Sequence, residues 1–329
     1  MPRQLVLGNG SMLATFDDRL QMRDLYYPYV GMEDHTTYGK VHRMGVWVEG
    51  RGFAWFSDPS WSIEISYKLE TLVGHTVMRN DALGISMTVE DFVPPVHDIL
   101  LRRFRIRTTD GQKKVVRIFA HNDFHIYGDK QKDTAFYEPY TNCVIHYRQT
   151  RYFLIGGKTS DPQECAVGVK GDAYASVLHS MKHLTTCGIS SWSIGKSNYR
   201  GLEGTWKDAE DGTLSRNPIE QGSVDSTVAI HSVVQPDHET EVVLWVCLGK
   251  SLNDVVRLQE TIMEETPERL YRNCSNYWKS WVNKTHHDFG SLSSDLIELF
   301  KRSLFMMRLH SDNHGGILAA ADSDIMAFN

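Results

Sequence analysis

Residues Glu241 to Leu248 read EVVLWVCL, one charge followed by seven apolar residues. A strand on a half-solvated sheet alternates polar and apolar positions, and an amphipathic helix repeats its apolar positions at three and four. An unbroken apolar run of this length, rich in β-branched residues, is a strand buried on both faces. We expect it to lie deep between two sheets. From Leu5 to about Lys250 the chain keeps the same texture, with short apolar or alternating runs divided by turn residues. They include GVWVE at 45–49, WSIEISY at 61–67, ILLRRFRIR at 99–107 and VVRIFA at 115–120. Many short strands in succession favour packed antiparallel sheets over alternating strand–helix units. No dinucleotide fingerprint follows any strand, so a Rossmann fold lacks its required context. The expected fold class is mainly β, a large two-sheet sandwich.

After Gly249 the periodicity changes. Ser251 and Asn253 are caps for a helix in which Leu252, Val255, Val256, Leu258 and Ile262 recur at helical spacing. Thr266 followed by Pro267 opens a second helix through PERLYRNCSNYWKSWVNK. A third begins near Ser293 or Ser294 and carries an apolar stripe of Leu296, Leu299, Phe300, Leu304 and Met307, closed by Asp312, Asn313, Gly315 and Gly316. These changes divide the chain into a β-domain at 1–250, a helical linker at 251–292 and the start of a further domain at 293–329. The stretch from Ser303 to Asn329 reads like the opening of a domain whose remainder is absent. Its stripe needs neighbours, so helix 293–310 is expected to dock back on the β-body or to join two copies of the chain.

Composition narrows the partners. The net charge of −6, with no basic block, argues against a nucleic-acid footprint or an anionic membrane surface. Neither a secretory signal in MPRQLVLGNG nor an apolar run of about 18 residues is present, so the expected location is cytoplasmic. The cysteines at 143, 165, 187, 247 and 274 are odd in number and have no CxxC pair, which supports neither a disulfide framework nor a zinc knuckle. No metal site and no cofactor are expected.

Three separated segments resemble a known family. They are GNGSMLATFDDRLQMRDLYYPYVG at 8–31, GLEGTWKDAEDGTLSRNPIEQGSVDS at 201–226 and KRSLFMMRLHSDNHGGILAAADSDI at 301–325. Together, in this order, they resemble prokaryotic glucoamylase-type enzymes of glycoside hydrolase family 15. The resemblance implies an N-terminal β-supersandwich, a helical linker and an (α/α)6 barrel that hydrolyses α-glucans or maltooligosaccharides with inversion. Inversion needs two carboxyl groups about 6.5–9.5 Å apart. The resemblance places both beyond Asn329, together with a sugar-binding Trp-Arg-Asp cluster. It therefore implies the non-catalytic N-terminal part of such an enzyme, with the catalytic barrel as its missing partner and no catalytic residue of its own. The alternative is a stand-alone carbohydrate-binding or interaction module. A third reading is an epimerase-like enzyme that uses His121 or His125.

The residues themselves suggest few sites. Flat rings stack on the apolar face of a pyranose, and the candidates for substrate binding are Trp206, in a polar loop, with Tyr26 and Tyr27 beside Pro28. Trp47, Trp55, Phe56 and Trp61 are equally suited to the core. His121, Asp123 and His125 alternate, which on an extended strand places them on one face, expected to be solvated or interdomain. Asp208, Glu210 and Asp211 read as an acidic turn between strands, lacking the spacing of a calcium loop. His286, His287 and Asp288 read as a solvated helix exit.

Overall fold

The computed structural model describes residues 3–37, 39–129, 131–160, 188–197 and 200–321. Cys165, Cys187 and residues 322–329 of the expected last domain lie outside them. The fold is mainly β. Its largest layer is an antiparallel sheet of nine strands. In spatial order these are β15 (Ile219–Gly222), β11 (Asp133–Glu138), β12 (Cys143–Arg148), β13 (Arg151–Thr159), β17 (Thr240–Gly249), β9 (Ile99–Thr108), β8 (Ile85–Phe92), β7 (Gly74–Asn80) and β6 (Ser62–Tyr67). A second sheet runs β14 (Ser191–Lys196), β16 (Val224–Val234), β10 (Lys114–Asn122), β4 (Arg43–Val48) and β5 (Gly52–Trp55). A small third sheet joins β1 (Leu5–Gly8), β2 (Leu13–Phe16) and β3 (Met22–Tyr26). Three helices follow: α1 (Leu252–Glu265), α2 (Pro267–Val282) and α3 (Ser294–Leu309).

Strand β17 explains why EVVLWVCL has no polar face. Val242, Leu244 and Leu248 join the core between the sheets, where Val46, Val116, Ile118, Val228 and Ile230 meet them from the second sheet. Val243, Trp245 and Cys247 point the other way, into a core shared with Val255, Ile262, Leu270, Trp278 and Phe305 of the helices. Burial on both faces is therefore as expected, but only one cover is a sheet. The other is the helical layer.

The helices dock where their caps and stripes require. The Ser251 hydroxyl accepts the Asp254 N–H at 3.2 Å, and the Thr266 hydroxyl accepts the Arg269 N–H at 3.4 Å, with Pro267 at the first helical position. Arg103 on β9 is buried and binds Glu241 and Glu268, each at 2.7 Å, which pins the start of α2 to the sheet. Midway along α1, Trp245 Nε1 donates to Gln259 Oε1 at 3.2 Å, and Gln259 Nε2 donates to the Thr141 carbonyl at 2.8 Å. Gly156 on β13 leaves the space that this bridge needs. A Cβ there would overlap the Trp245 indole and approach Gln259 Oε1 to 2.8 Å. Gly156→Ala is expected to cost about 1–3 kcal/mol by overpacking, seen as a lower urea midpoint at unchanged slope.

No helix among the described residues is long and apolar enough to cross a membrane. Cys143, Cys247 and Cys274 are free and buried, and burial pushes each thiol above its ordinary pKa, as expected for inert core thiols.

Candidate functional site

The first and last of the three signature segments, nearly 300 residues apart, meet at one end of the sandwich. The turn after β1 is organised by Asn9, whose Oδ1 accepts the N–H groups of Ser11 and Met12 at 2.9 and 3.0 Å. Its Nδ2 lies 3.2 Å from the His97 carbonyl and 3.0 Å from Asp98 Oδ1, which ties in the loop before β9. Gly10, at φ +94°, leaves room for Arg308, whose Nη1 would lie 2.8 Å from any Cβ at that position. Arg308, in the last turn of α3, donates to the Asn9 carbonyl at 3.1 Å, to Asn313 Oδ1 at 2.9 Å and to the Ser311 carbonyl at 2.9 Å. The Asn313 N–H returns a bond to the Gly10 carbonyl at 2.9 Å.

The loop from Tyr27 to His35 closes over the same place. The Val30 N–H donates to Asp312 Oδ2 at 2.8 Å, Gly31 packs on Leu318, and the Tyr29 ring meets His314 edge-on at 5.1 Å. Burial pushes the Asp312 carboxyl up, but the N–H bonds from His314 and Val30 outweigh it and hold its pKa below the ordinary value. The loops that form this junction carry Met32, Val96 and Ile317, each at least 80% exposed. The junction is held by the Arg308 guanidinium, the Asn9 and Asn313 side-chain amides, the Asp312 carboxylate and backbone groups.

Beside it, α3 is amphipathic in an unexpected sense. Phe305 and Leu309 are buried against the sheet, and Leu304 is partly buried there. Leu296, Leu299, Phe300 and Met307 face outward and are exposed. The helix therefore does dock on the β-body, but through a face other than most of the apolar stripe. Between this helix and the Leu69–Glu70 turn runs a groove of about 210 Å³, lined by Ile297, Lys301, Arg302 and Phe305.

The other sequence candidates lie elsewhere. Tyr26 and Tyr27 are 6% and 4% exposed, Tyr26 in the core beneath the helices and Tyr27 in the core between the sheets, edge-on to Phe153. Neither has a ring face to offer a sugar, because each fills space that a large sandwich must close. Trp206 stands apart from them on the outer face of the second sheet, in a 3-10 turn at Thr205–Asp211. It is half-buried, edge-on to Trp55 at 6.3 Å, with Arg43 4.9 Å and Lys207 4.4 Å from its ring centre. Its exposed surface is thus already flanked by cations.

His121, Asp123 and His125 are all buried, so of the solvated or interdomain face expected for them the solvated one is not formed. The strand ends at Asn122, and the period-two alternation ends with it. His121 Nε2 binds Asp225 at 3.0 Å, Asp123 pairs with Lys40 and accepts the Ser197 hydroxyl at 3.0 Å, and His125 Nδ1 lies 3.4 Å from the Thr37 hydroxyl. Asp208 and Asp211 close the acidic turn as expected, accepting the N–H groups of Ser215 and Thr213 at 2.7 and 2.8 Å. Among the described residues no group of three His, Cys, Asp or Glu side chains is placed to hold a metal ion. His286, His287 and Asp288 are exposed.

No family model matches the chain. It is 24% identical over 323 residues to an uncharacterized glycosyl hydrolase of Methanocaldococcus jannaschii, an alignment that covers 96% of this chain and 46% of that protein. Among solved structures it resembles a bacterial glucoamylase complexed with acarbose, with a TM-score of 0.66 at 12% identity, over 94% of this chain and 40% of that one. The fold is of the glycoside hydrolase type. The chain spans about half the length of the curated relative it matches. Sequence reasoning singled out the segments that build the junction, but not the contacts between them. The GNG turn and the SDNHGG exit look like ordinary loop punctuation until the fold sets Arg308 against Asn9.

Proposed function

We propose that the chain serves as the β-sandwich part of a longer, cytoplasmic glucoamylase-like α-glucan hydrolase of family 15 type. In this reading residues 1–250 form the supersandwich, 251–292 the linker and 293–329 the start of the catalytic barrel. The catalytic carboxyl groups belong to that barrel and not to this chain. The observation that carries the reading is the outward face of α3. Leu296, Leu299, Phe300 and Met307 are exposed together, and covering such side chains is worth roughly 1.5–3 kcal/mol each. A packed helical barrel supplies that cover, and the hydrogen-bonded junction fixes the angle at which α3 leaves the sandwich.

Two measurements test this. The reading frame is expected to continue past the codon for Asn329 into a helical domain, and the longer polypeptide is expected to release glucose from maltotetraose with inversion. The 329-residue chain is expected to release none. Turnover by the short chain would overturn the assignment of the carboxyl groups. Saturable heat on titrating the short chain with maltooligosaccharides, with a stop codon after Asn329, would instead favour a stand-alone carbohydrate-binding module.

A further inference from the structure

His35 is completely buried at the inner end of the Tyr27–His35 loop. Its main chain is already tied down: its N–H donates to the Leu25 carbonyl and its carbonyl accepts the His125 N–H, both at 2.8 Å. The ring adds two further bonds. Nε2 lies 2.7 Å from the Tyr27 carbonyl, and Nδ1 accepts the Tyr127 N–H at 3.1 Å. A carbonyl can only accept and a main-chain N–H can only donate, so the proton must sit on Nε2 and Nδ1 must be bare. Tyr127 in turn is held at φ +62° inside a 3-10 turn at Ile126–Gly128, a conformation uncommon for a tyrosine.

We propose that His35 is an acid-released latch. A second proton on Nδ1 would set two N–H groups against each other and break the bond to Tyr127, leaving the His35 carbonyl's bond to the His125 N–H as a remaining tie and so loosening the Tyr27–His35 loop on the turn. That loop also carries Val30 and Gly31, which contact Asp312 and Leu318, so the junction at the end of α3 loosens with it. The inference stands independently of the hydrolase reading.

The charged surroundings oppose protonation. Arg151 on β13 faces the ring side and is itself bound bidentately by Glu33 at 2.9 Å through each contact. Burial first, and then Arg151, lower the His35 pKa from 6.5 to about 4 against the opposing bond to Tyr27. Asp34 and Asp133 are also near, and burial raises both. Arg148 stands 4.0 Å from Asp133 and 3.0 Å from Asp129, the Tyr127 ring lies edge-on to His35 at 6.3 Å, and Tyr27 and His125 are bonded to His35 through their main chains. Asp133 matters most, because its Oδ2 accepts the Ile126 N–H at 3.0 Å, the amide next to the latched one. Burial raises its pKa to about 7, so as pH falls it takes up a proton and its burial penalty is relieved, which opposes His35 even though the neutral carboxyl accepts the Ile126 N–H more weakly.

The test therefore uses the full chain carrying Asp133→Asn, followed by amide hydrogen exchange corrected for intrinsic rates at pH 7.5 and pH 5. Release of a group whose pKa is about 4 when latched and 6.5 when free should raise local opening about 30-fold over that interval in peptides covering 27–37 and 123–129. Peptides from β8 and β9 should not change. Adding His35→Gln should abolish the pH dependence. Pocket-wide exchange that tracks global unfolding, or pH dependence that survives His35→Gln, would overturn the latch. Should His35→Gln not fold, nitrogen NMR of labelled histidines in the unmutated chain decides. The proposal requires an Nε2–H ring at pH 7 with no titration down to pH 5, and an Nδ1–H ring or a midpoint near 6.5 would refute it.

Discussion

Trp278→Ala is expected to lower the unfolding free energy by about 3–5 kcal/mol, among the largest losses available to a single change in this chain. Trp278 is 1% exposed in the core beneath the helices. Its ring lies 5.8 Å from Phe305 of α3 and 5.9 Å from Trp281, both edge-on, so one side chain joins α2 to α3 and both to the sheet. Neighbouring main chain prevents full collapse into the space it leaves, since Cys274 one turn earlier is already bonded to the Val93 carbonyl at 3.4 Å. The change should also release the exposed segment 283–293 to limited proteolysis while the sheets stay protected. Leu299→Ala, on the outward face of the neighbouring helix, provides the contrast and should stay within about 0.5 kcal/mol. Equal losses for the two would mean that α3 packs the other way round.

The second large effect is acid lability. His146 on β12 reaches across the core to the Ser226 hydroxyl of β16 at 2.7 Å, its ring edge-on to Phe124 at 5.0 Å. His42 approaches the same phenylalanine at 4.5 Å and has only Asn122 Oδ1, at 3.4 Å, for its Nδ1. Burial lowers the pKa of His146 to about 3, of His35 to about 4 and of His42 well below 6.5. A histidine depressed in the folded state binds its proton more readily unfolded, so its contribution is intact above pH 6.5 and is lost as pH falls towards the folded value. By pH 4, His35 and His146 should each remove roughly 3 kcal/mol, and His42 adds to the loss. Asp133, raised to about 7, acts in reverse: its penalty is full above pH 7 and relieved as pH falls, returning roughly 3 kcal/mol over the same range. Over these four groups the sum is still a loss. Melting temperatures should therefore fall from pH 6.5 to 4, and fall further in Asp133→Asn, where the opposing titration is gone. A flat profile in both proteins would show that these rings reach solvent in the folded state.

The strands were legible because their burial is written as local pattern. EVVLWVCL announces burial on both faces, and the Ser251 and Thr266–Pro267 caps announce their helices. What covers each face was not legible, because the partner of β17's second face lies in the helices that follow it, and no local spacing encodes that contact. The burial of Tyr26 and Tyr27 has the same cause. They precede one proline and Tyr29 follows it, yet the first two fill separate cores and Tyr29 meets His314 at the junction. For His121, Asp123 and His125 the pattern was correct up to Asn122 and meaningless beyond it, once the strand had ended.

The position of β17 also bears on how the chain is made. It pairs with β13 on one side and β9 on the other, joining strands that a ribosome delivers well before it. Until residue 249 has emerged, the sheet exists as two incomplete halves, β6 to β9 and β11 to β13 with β15, each with an unpaired edge rich in apolar side chains. Nascent chains of this protein thus pass through a long interval with two adhesive borders, and completion depends on the last strand inserting between them.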